Sequence, residues 1–150
     1  MGKVSAGVFA VHNNVFKIGT SGRESTSEQK KVIKNLETFS PSFDNGVEEW
    51  NAMDQEGWIS RLMTGKGITI SFTGKRTIGD EGNDYVAGLT FLNEQAVNSV
   101  LDWEFPDGTI VSIPCVVNVT NNGGGDTTGV APLEFDIMSD GKPTVTNAAE

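Results

Sequence analysis

The chain has 150 residues, eighteen glycines, one cysteine, one histidine and a formal net charge of −9, enough length for one domain around one core. The charge argues against a nucleic-acid grip, which draws its affinity from lysine and arginine on phosphates, though it leaves room for a polyanion that passes without adhering. One cysteine excludes an internal disulfide framework, and one cysteine with one histidine excludes zinc centres of the Cys/His kind. Val, Ile, Thr and Ser spread through a glycine-rich chain favour a β-rich fold.

In chain order, Gly7–Val11 and Val15–Ile18 read as two short strands joined by a turn at His12-Asn13-Asn14, since asparagine tolerates left-handed backbone. Val8–Val11 is too short for a signal-peptide core or a membrane span, so no export is expected. The glycosylation pattern Asn118-Val119-Thr120 carries little weight without it. Thr20–Lys31 is polar and aperiodic and reads as an exposed loop. Ser25 and Glu28 have capping-box spacing, but no apolar helical stripe follows them. From Val32 the chain is extended through Phe39-Ser40-Pro41, because the residue before proline avoids helical backbone.

Residues 44–67 read as a long glycine-punctuated loop carrying Trp50, Met53, Trp58, Arg61 and Met63 among acids. Trp, Met and Arg in that setting are the composition of an interface, with a core-packed helix as the alternative. Ile68, Ile70 and Phe72 alternate with Thr69, Ser71 and Thr73 in a strand ending at Gly74. Between Gly79 and Asn93 the period changes: Tyr85, Val86, Leu89 and Leu92 recur at helical spacing behind a cap at Asp80 or Asn83.

The strongest pattern is a β-hairpin over Val97–Val119. Val97, Leu101, Trp103 and Phe105 share one face of its first arm, Pro106-Asp107-Gly108 turns the chain, and Val111, Ile113, Cys115, Val117 and Val119 share one face of the return arm. Pro114 cannot donate to a ladder, which predicts a bulge or an edge near it. Cys115, on the apolar face, reads as a buried, inert thiol. A glycine-rich loop over Asn121–Gly129 precedes a last strand, Val130–Ile137, with Leu133, Phe135 and Ile137 inward.

Catalytic chemistry finds no convergent groups. A dyad of His12 with Cys115 needs a turn residue to meet a core-facing thiol. Thr64-Gly65-Lys66-Gly67 and Gly123-Gly124-Gly125-Asp126 lack phosphate-loop spacing. Asp80, Glu81 and Asp84 suit a helix start better than a calcium loop. No enzyme, cofactor or metal is expected.

The order of these parts resembles a known family. A short N-terminal hairpin, an extended strand into Phe39-Ser40-Pro41, an acidic Trp-bearing loop ending Thr64-Gly65-Lys66, the strand Ile68–Phe72 before Gly74, one helix, the turn Phe105-Pro106-Asp107-Gly108-Thr109 and the strand Leu133-Glu134-Phe135 are similar to the major tail protein of long-tailed, non-contractile bacteriophages. The likeness runs from about Val8 to Thr146, without the additional C-terminal immunoglobulin-like domain that some members carry.

The resemblance implies a mainly β tail tube fold, a β-sandwich or barrel with one flanking helix. It implies one domain over 1–150, with an N-terminal arm at 1–6, a long interface loop at 44–67 and a C-terminal arm at 139–150. It further implies hexameric rings stacked into a tube around a tape measure protein, with tail terminator and distal tail proteins as partners, assembled in the host bacterial cytoplasm and placed in the virion tail. DNA then passes through the lumen without specific binding. On this reading Asp102, Glu104, Glu134 and Asp136 are the candidate lumen-facing residues. Trp50, Met53, Trp58, Arg61 and Met63 are the candidate contacts between subunits and rings. The alternatives are the inner tube of a contractile tail or tail-derived bacteriocin, and a β-sandwich carbohydrate-binding module using Trp50, Trp58 and Trp103 as a stacking platform.

Overall fold

The computed structural model describes residues 6–147. Its strands in chain order are β1 (Val15–Gly19), β2 (Lys30–Val32), β3 (Leu36–Phe43), β4 (Gly46–Asn51), β5 (Ile59–Gly65), β6 (Ile68–Lys75), β7 (Asn98–Glu104), β8 (Ile110–Asn122), β9 (Pro132–Ser139) and β10 (Thr144–Thr146), with one helix, α1 (Glu81–Gly88), before β7. The main sheet runs β2-β1-β7-β8-β9-β6-β3, with β10 also on β8, and β4 and β5 form a separate two-stranded sheet. Every pairing is antiparallel.

The sheet rolls up on its apolar face. Phe16 on β1 lies 4.7 Å from the ring of Phe39 on β3 and 4.8 Å from Phe72 on β6, although these strands stand near opposite ends of the sheet order. Trp103 on β7 closes the cluster 5.5 Å from Phe39, and its indole Nε1 donates to Asn14 Oδ1 at 3.0 Å. Around these rings Ile18, Ile70, Leu101, Ile113, Val117, Leu133, Phe135 and Ile137 are buried, as the alternation of their strands requires. Helix α1 covers the core from one side with Val86 and Ala87, packing on β1, β2 and β8.

The central hairpin and the Ile68 strand stand where the sequence puts them, and the helix begins behind its expected cap. The Pro106–Gly108 turn closes with Phe105 N–H on Thr109 O at 2.7 Å, and Gly108 takes φ +98°. The backbone N–H of Thr109 also donates to Asp107 Oδ1 at 2.9 Å, which holds that carboxyl below its ordinary pKa. Asp80 caps α1 by accepting from Asn83 N. Pro114 sits in a central strand without a bulge: β9 pairs with β8 only from Cys115 onward and β10 only up to Ser112, so its missing N–H falls in the gap between two partners. The irregularity in β8 comes instead between Val119 and Asn121.

Other expectations are corrected. No strand forms over Gly7–Val11: residues 11–13 make a 3₁₀ turn, and Val8 is fully exposed. Both sides of β1 are already occupied, by β2 and β7, which leaves that segment no ladder to join. Thr20–Lys31, expected as an exposed loop, contains two 3₁₀ turns and ends in β2, and a capping box forms at Thr26 and Gln29 rather than at the Ser25–Glu28 spacing, with Thr26 N–H donating to Gln29 Oε1 at 2.9 Å. The helix is shorter than its period suggests, ending at Gly88 and leaving Leu92 half exposed. The last strand begins at Pro132, beyond an exposed Val130. Residues 144–146, expected within a C-terminal arm, fold back as β10 on β8. Residues 1–5 of the N-terminal arm and 148–150 of the C-terminal arm lie outside the described residues.

The segment 44–67 is not a loop. It is a β-hairpin in which Val47 opposes Met63, Glu49 opposes Arg61 and Trp50 opposes Ser60. Because β3 pairs with β6 and Asp44 N–H bonds Gly67 O at 2.8 Å at the junction, the β4–β5 hairpin continues the β3–β6 ribbon outward. All of β4 is exposed.

Candidate functional site

Two surfaces carry the features that function could use. The first is the outer face of the rolled sheet. Directly opposed residues of an antiparallel ladder point the same way, and the register joins Lys17 to Asp102, Asp102 to Ser112, Asn118 to Asp136, Asp136 to Ser71 and Glu134 to Thr73. Asp102, Glu104, Glu134 and Asp136 therefore share one face, opposite the core.

These carboxylates are not equivalent. Lys30 Nζ lies 3.0 Å from Asp102 Oδ1, and Ser112 Oγ donates to the same oxygen at 2.6 Å. Lys17 Nζ lies 2.8 Å from Glu104 Oε2. Glu134 receives only Asn121 Nδ2, at 3.4 Å, and neither it nor Asp136 has a cation within ion-pairing distance among the described residues. The uncompensated negative charge of this group is thus concentrated on β9. Lys17 and Lys30 escaped the sequence reading. Lys17 does announce itself as the polar residue between Phe16 and Ile18, but Lys30 is tied to Asp102 only by long-range register.

The second surface is the β4–β5 hairpin. Met53 is 99% exposed and Trp58 78%, while Trp50, Leu62 and Met63 are about half exposed. Glu56 and Gly57 take positive φ at the tip, and Asn51 Nδ2 donates to Gly57 O at 2.8 Å, so the turn is a defined shape. Arg61 already holds Glu49 of its own hairpin at 2.9 Å. Within the hairpin Val47, Ile59 and Met63 share one face with that ion pair, while Trp50 and Leu62 share the other. Apolar side chains on both faces with no cover from the chain itself are the mark of a surface that another molecule buries.

Two further clusters are internal. Arg23 donates to Ser99 O at 3.1 Å and Cys115 O at 2.9 Å and pairs with Asp140 at 3.2 Å, tying the segment before β2 to β7 and β8. Asn83, fully buried, accepts from Arg76 Nη1 and Thr77 N and donates to Lys34 O and Lys75 O. Both are structural clamps with their polar groups satisfied.

No family model matches the sequence, and no curated protein matches it. Solved structures do. A chain from the tail of an empty gene transfer agent particle, solved with helical refinement and C6 symmetry, superposes with a TM-score of 0.71 at 20% identity, covering 93% of this chain and 99% of that one. A chain of the native gene transfer agent virion gives 0.68 at 20% identity, with coverage of 93% and 99%. A chain from the extended sheath-tube complex of an extracellular contractile injection system gives 0.58 at 12% identity, with coverage of 96% and 95%. The likeness reaches a contractile system as well as gene transfer agent tails, so it does not single out the non-contractile type. The mainly β tail tube fold expected from the sequence is the fold this chain shares with components of these particles.

Proposed function

We propose that this chain is a structural subunit of a tail tube, assembling with copies of itself into stacked six-membered rings around a hollow channel through which DNA passes. The observation that carries the reading is the β4–β5 hairpin, which presents Trp50, Met53, Trp58 and Met63 to solvent in a single copy on a fold found in helically assembled tails. Rings also dispose of sheet borders, because β2 and β3 end the sheet with one backbone side unpaired, a liability that pairing between subunits removes.

In this reading the face bearing Asp102, Glu104, Glu134 and Asp136 lines the channel. Lys30 and Lys17 neutralise the first two, and Glu134 and Asp136 supply the net negative charge that keeps DNA from adhering. Trp50, Met53, Trp58, Arg61 and Met63 lie between neighbouring subunits and rings. A tape measure protein occupies the channel before DNA, tail terminator and distal tail proteins close its ends, and the chain, which is not an enzyme, resides in the virion tail after assembly in the host cytoplasm.

The likeness to a contractile injection system supports a second reading, the inner tube of a contractile tail or tail-derived bacteriocin. A carbohydrate-binding platform loses one of its three rings, since Trp103 is buried and hydrogen-bonded to Asn14.

The experiment is to replace residues 45–66 with Asn-Gly, a two-residue turn suited to joining paired strands, and to compare sedimentation with the intact chain. The intact chain pellets as polymer at high concentration. The shortened chain stays monomeric and still unfolds in one cooperative transition, since the buried core contains no residue of the deleted segment. An intact chain that remains monomeric at all concentrations would contradict the proposal.

A further inference from the structure

The root of the hairpin carries a groove whose chemistry complements the hairpin's own tip. Its volume is about 710 Å³, and it is lined by Phe43, Lys66, Ile68, Lys142, Pro143 and Val145. Phe43 and Val145 are more than half exposed, so apolar surface lies open in a groove that two lysines also line. Lysine and arginine are outnumbered by acids, 11 to 20, and most of the described cations are already held in ion pairs. Lys66 and Lys142 are not, and they meet at this one groove.

The tip presents the counterpart: Met53 and Trp58, the most exposed apolar residues of the hairpin, flanked by Asp54 and Glu56, which have no ion-pair partner among the described residues. The tip cannot fill the groove of its own chain, because β4 runs extended for six residues from root to tip, roughly 20 Å at strand rise. Every copy therefore offers a tip and leaves a groove empty.

We propose that the hairpin tip of one copy docks in the root groove of the next, with Met53 and Trp58 on Phe43 and Val145, and Asp54 and Glu56 against Lys66 and Lys142. The contact joins two different surfaces, so it is heterologous and propagates into a ring or an open stack rather than stopping at a dimer. Apolar contact supplies the affinity, and the opposed charges select the register. The inference rests on the tube reading and adds the surface that receives the hairpin.

The test is intermolecular disulfide formation in the full chain carrying both Met53→Cys and Val145→Cys, with each single variant as control. Cys115 is buried and stays out of the reaction. An internal bond is excluded because bridged Cα atoms must approach within about 7 Å. Brief oxidation of the double variant gives a covalent ladder beyond the dimer whose bonds, read by peptide mapping, join position 53 of one copy to position 145 of another, while each single variant, with no partner thiol in the contact, stays monomeric. In parallel, Lys66→Glu with Lys142→Glu raises the concentration needed for polymerisation at least tenfold, and adding Asp54→Lys with Glu56→Lys restores it. A wild-type chain that polymerises while the double variant gives no ladder and the charge reversals change nothing overturns the docking site and leaves the tube intact. A wild-type chain that never polymerises overturns both.

Discussion

Lys30 Nζ stands 3.0 Å from Asp102 Oδ1, and each side chain keeps only 14% of its surface exposed. Removing one member of such a pair strands the other in poor solvent and also deprives Ser112 of its acceptor. Asp102→Ala therefore lowers stability by about 2 kcal/mol in urea unfolding. Glu134→Ala and Asp136→Ala, whose carboxylates have no ion-pair partner among the described residues, change it by less than about 0.5 kcal/mol. Equal costs at Asp102 and Asp136 would contradict the division of this face into neutralised and free charges.

Asn83 is the most heavily bonded side chain of the molecule's interior, with both amide hydrogens on carbonyls and its oxygen shared by Arg76 and Thr77. Asn83→Ala leaves the Lys34 and Lys75 carbonyls short of a donor and lowers stability by about 2–3 kcal/mol. Asn83→Asp costs at least as much, because a carboxylate cannot donate to either carbonyl. Chemical denaturation of the two variants checks the order.

Gly82 lies in the first turn of α1, where alanine would gain close to 1 kcal/mol in helix propensity. A Cβ there would stand 2.5 Å from Val32 O and 2.9 Å from Val32 C. Gly82→Ala is destabilising despite its better propensity, whereas Gly88→Ala, with open space around its Cβ, is neutral or stabilising. Thermal unfolding of the pair separates close packing from backbone entropy.

Burial pushes the Cys115 thiol up to about 12 from an ordinary 9.0, against the opposing pull of Arg23. Native protein at pH 8 does not react with a disulfide reagent and reacts stoichiometrically once unfolded in urea. The linkage has a definite sign. Below pH 9 the thiol is protonated in both states and this group leaves stability unchanged with pH. Between about 9 and 12 the unfolded thiol ionises while the buried one does not, so this group withdraws stability as pH rises. Cys115→Val removes that slope, which alkaline unfolding curves report.

What the sequence revealed and what it hid follow one physical rule. Val97–Val119, Ile68–Gly74 and the Leu133, Phe135, Ile137 strand were legible because each has one buried face, so their residues alternate. The β4–β5 hairpin was not, because neither of its faces is buried by its own chain. Trp50, Leu62 and Met63 sit on both sides, and Gly46, Gly57 and Gly65 imitate a loop. The hairpin's Trp, Met and Arg composition is that of a surface another molecule covers, and in the single chain those side chains do stand in solvent. Val8–Val11 misled in the opposite sense, being apolar without a partner strand. The carboxylates of the outer face were recognisable from strand parity, but their pairing with Lys17 and Lys30 depends on strand neighbours that local sequence does not encode.

The most direct measurement is cryo-electron microscopy of the concentrated, untagged protein with helical reconstruction. Hollow tubes of stacked six-membered rings are expected, with Asp136 and Glu134 facing the channel and the β4–β5 hairpin buried between copies. Discrete monomers with Trp50 and Trp58 still in solvent, or a polymer whose channel is lined by another face of the sheet, would contradict this arrangement.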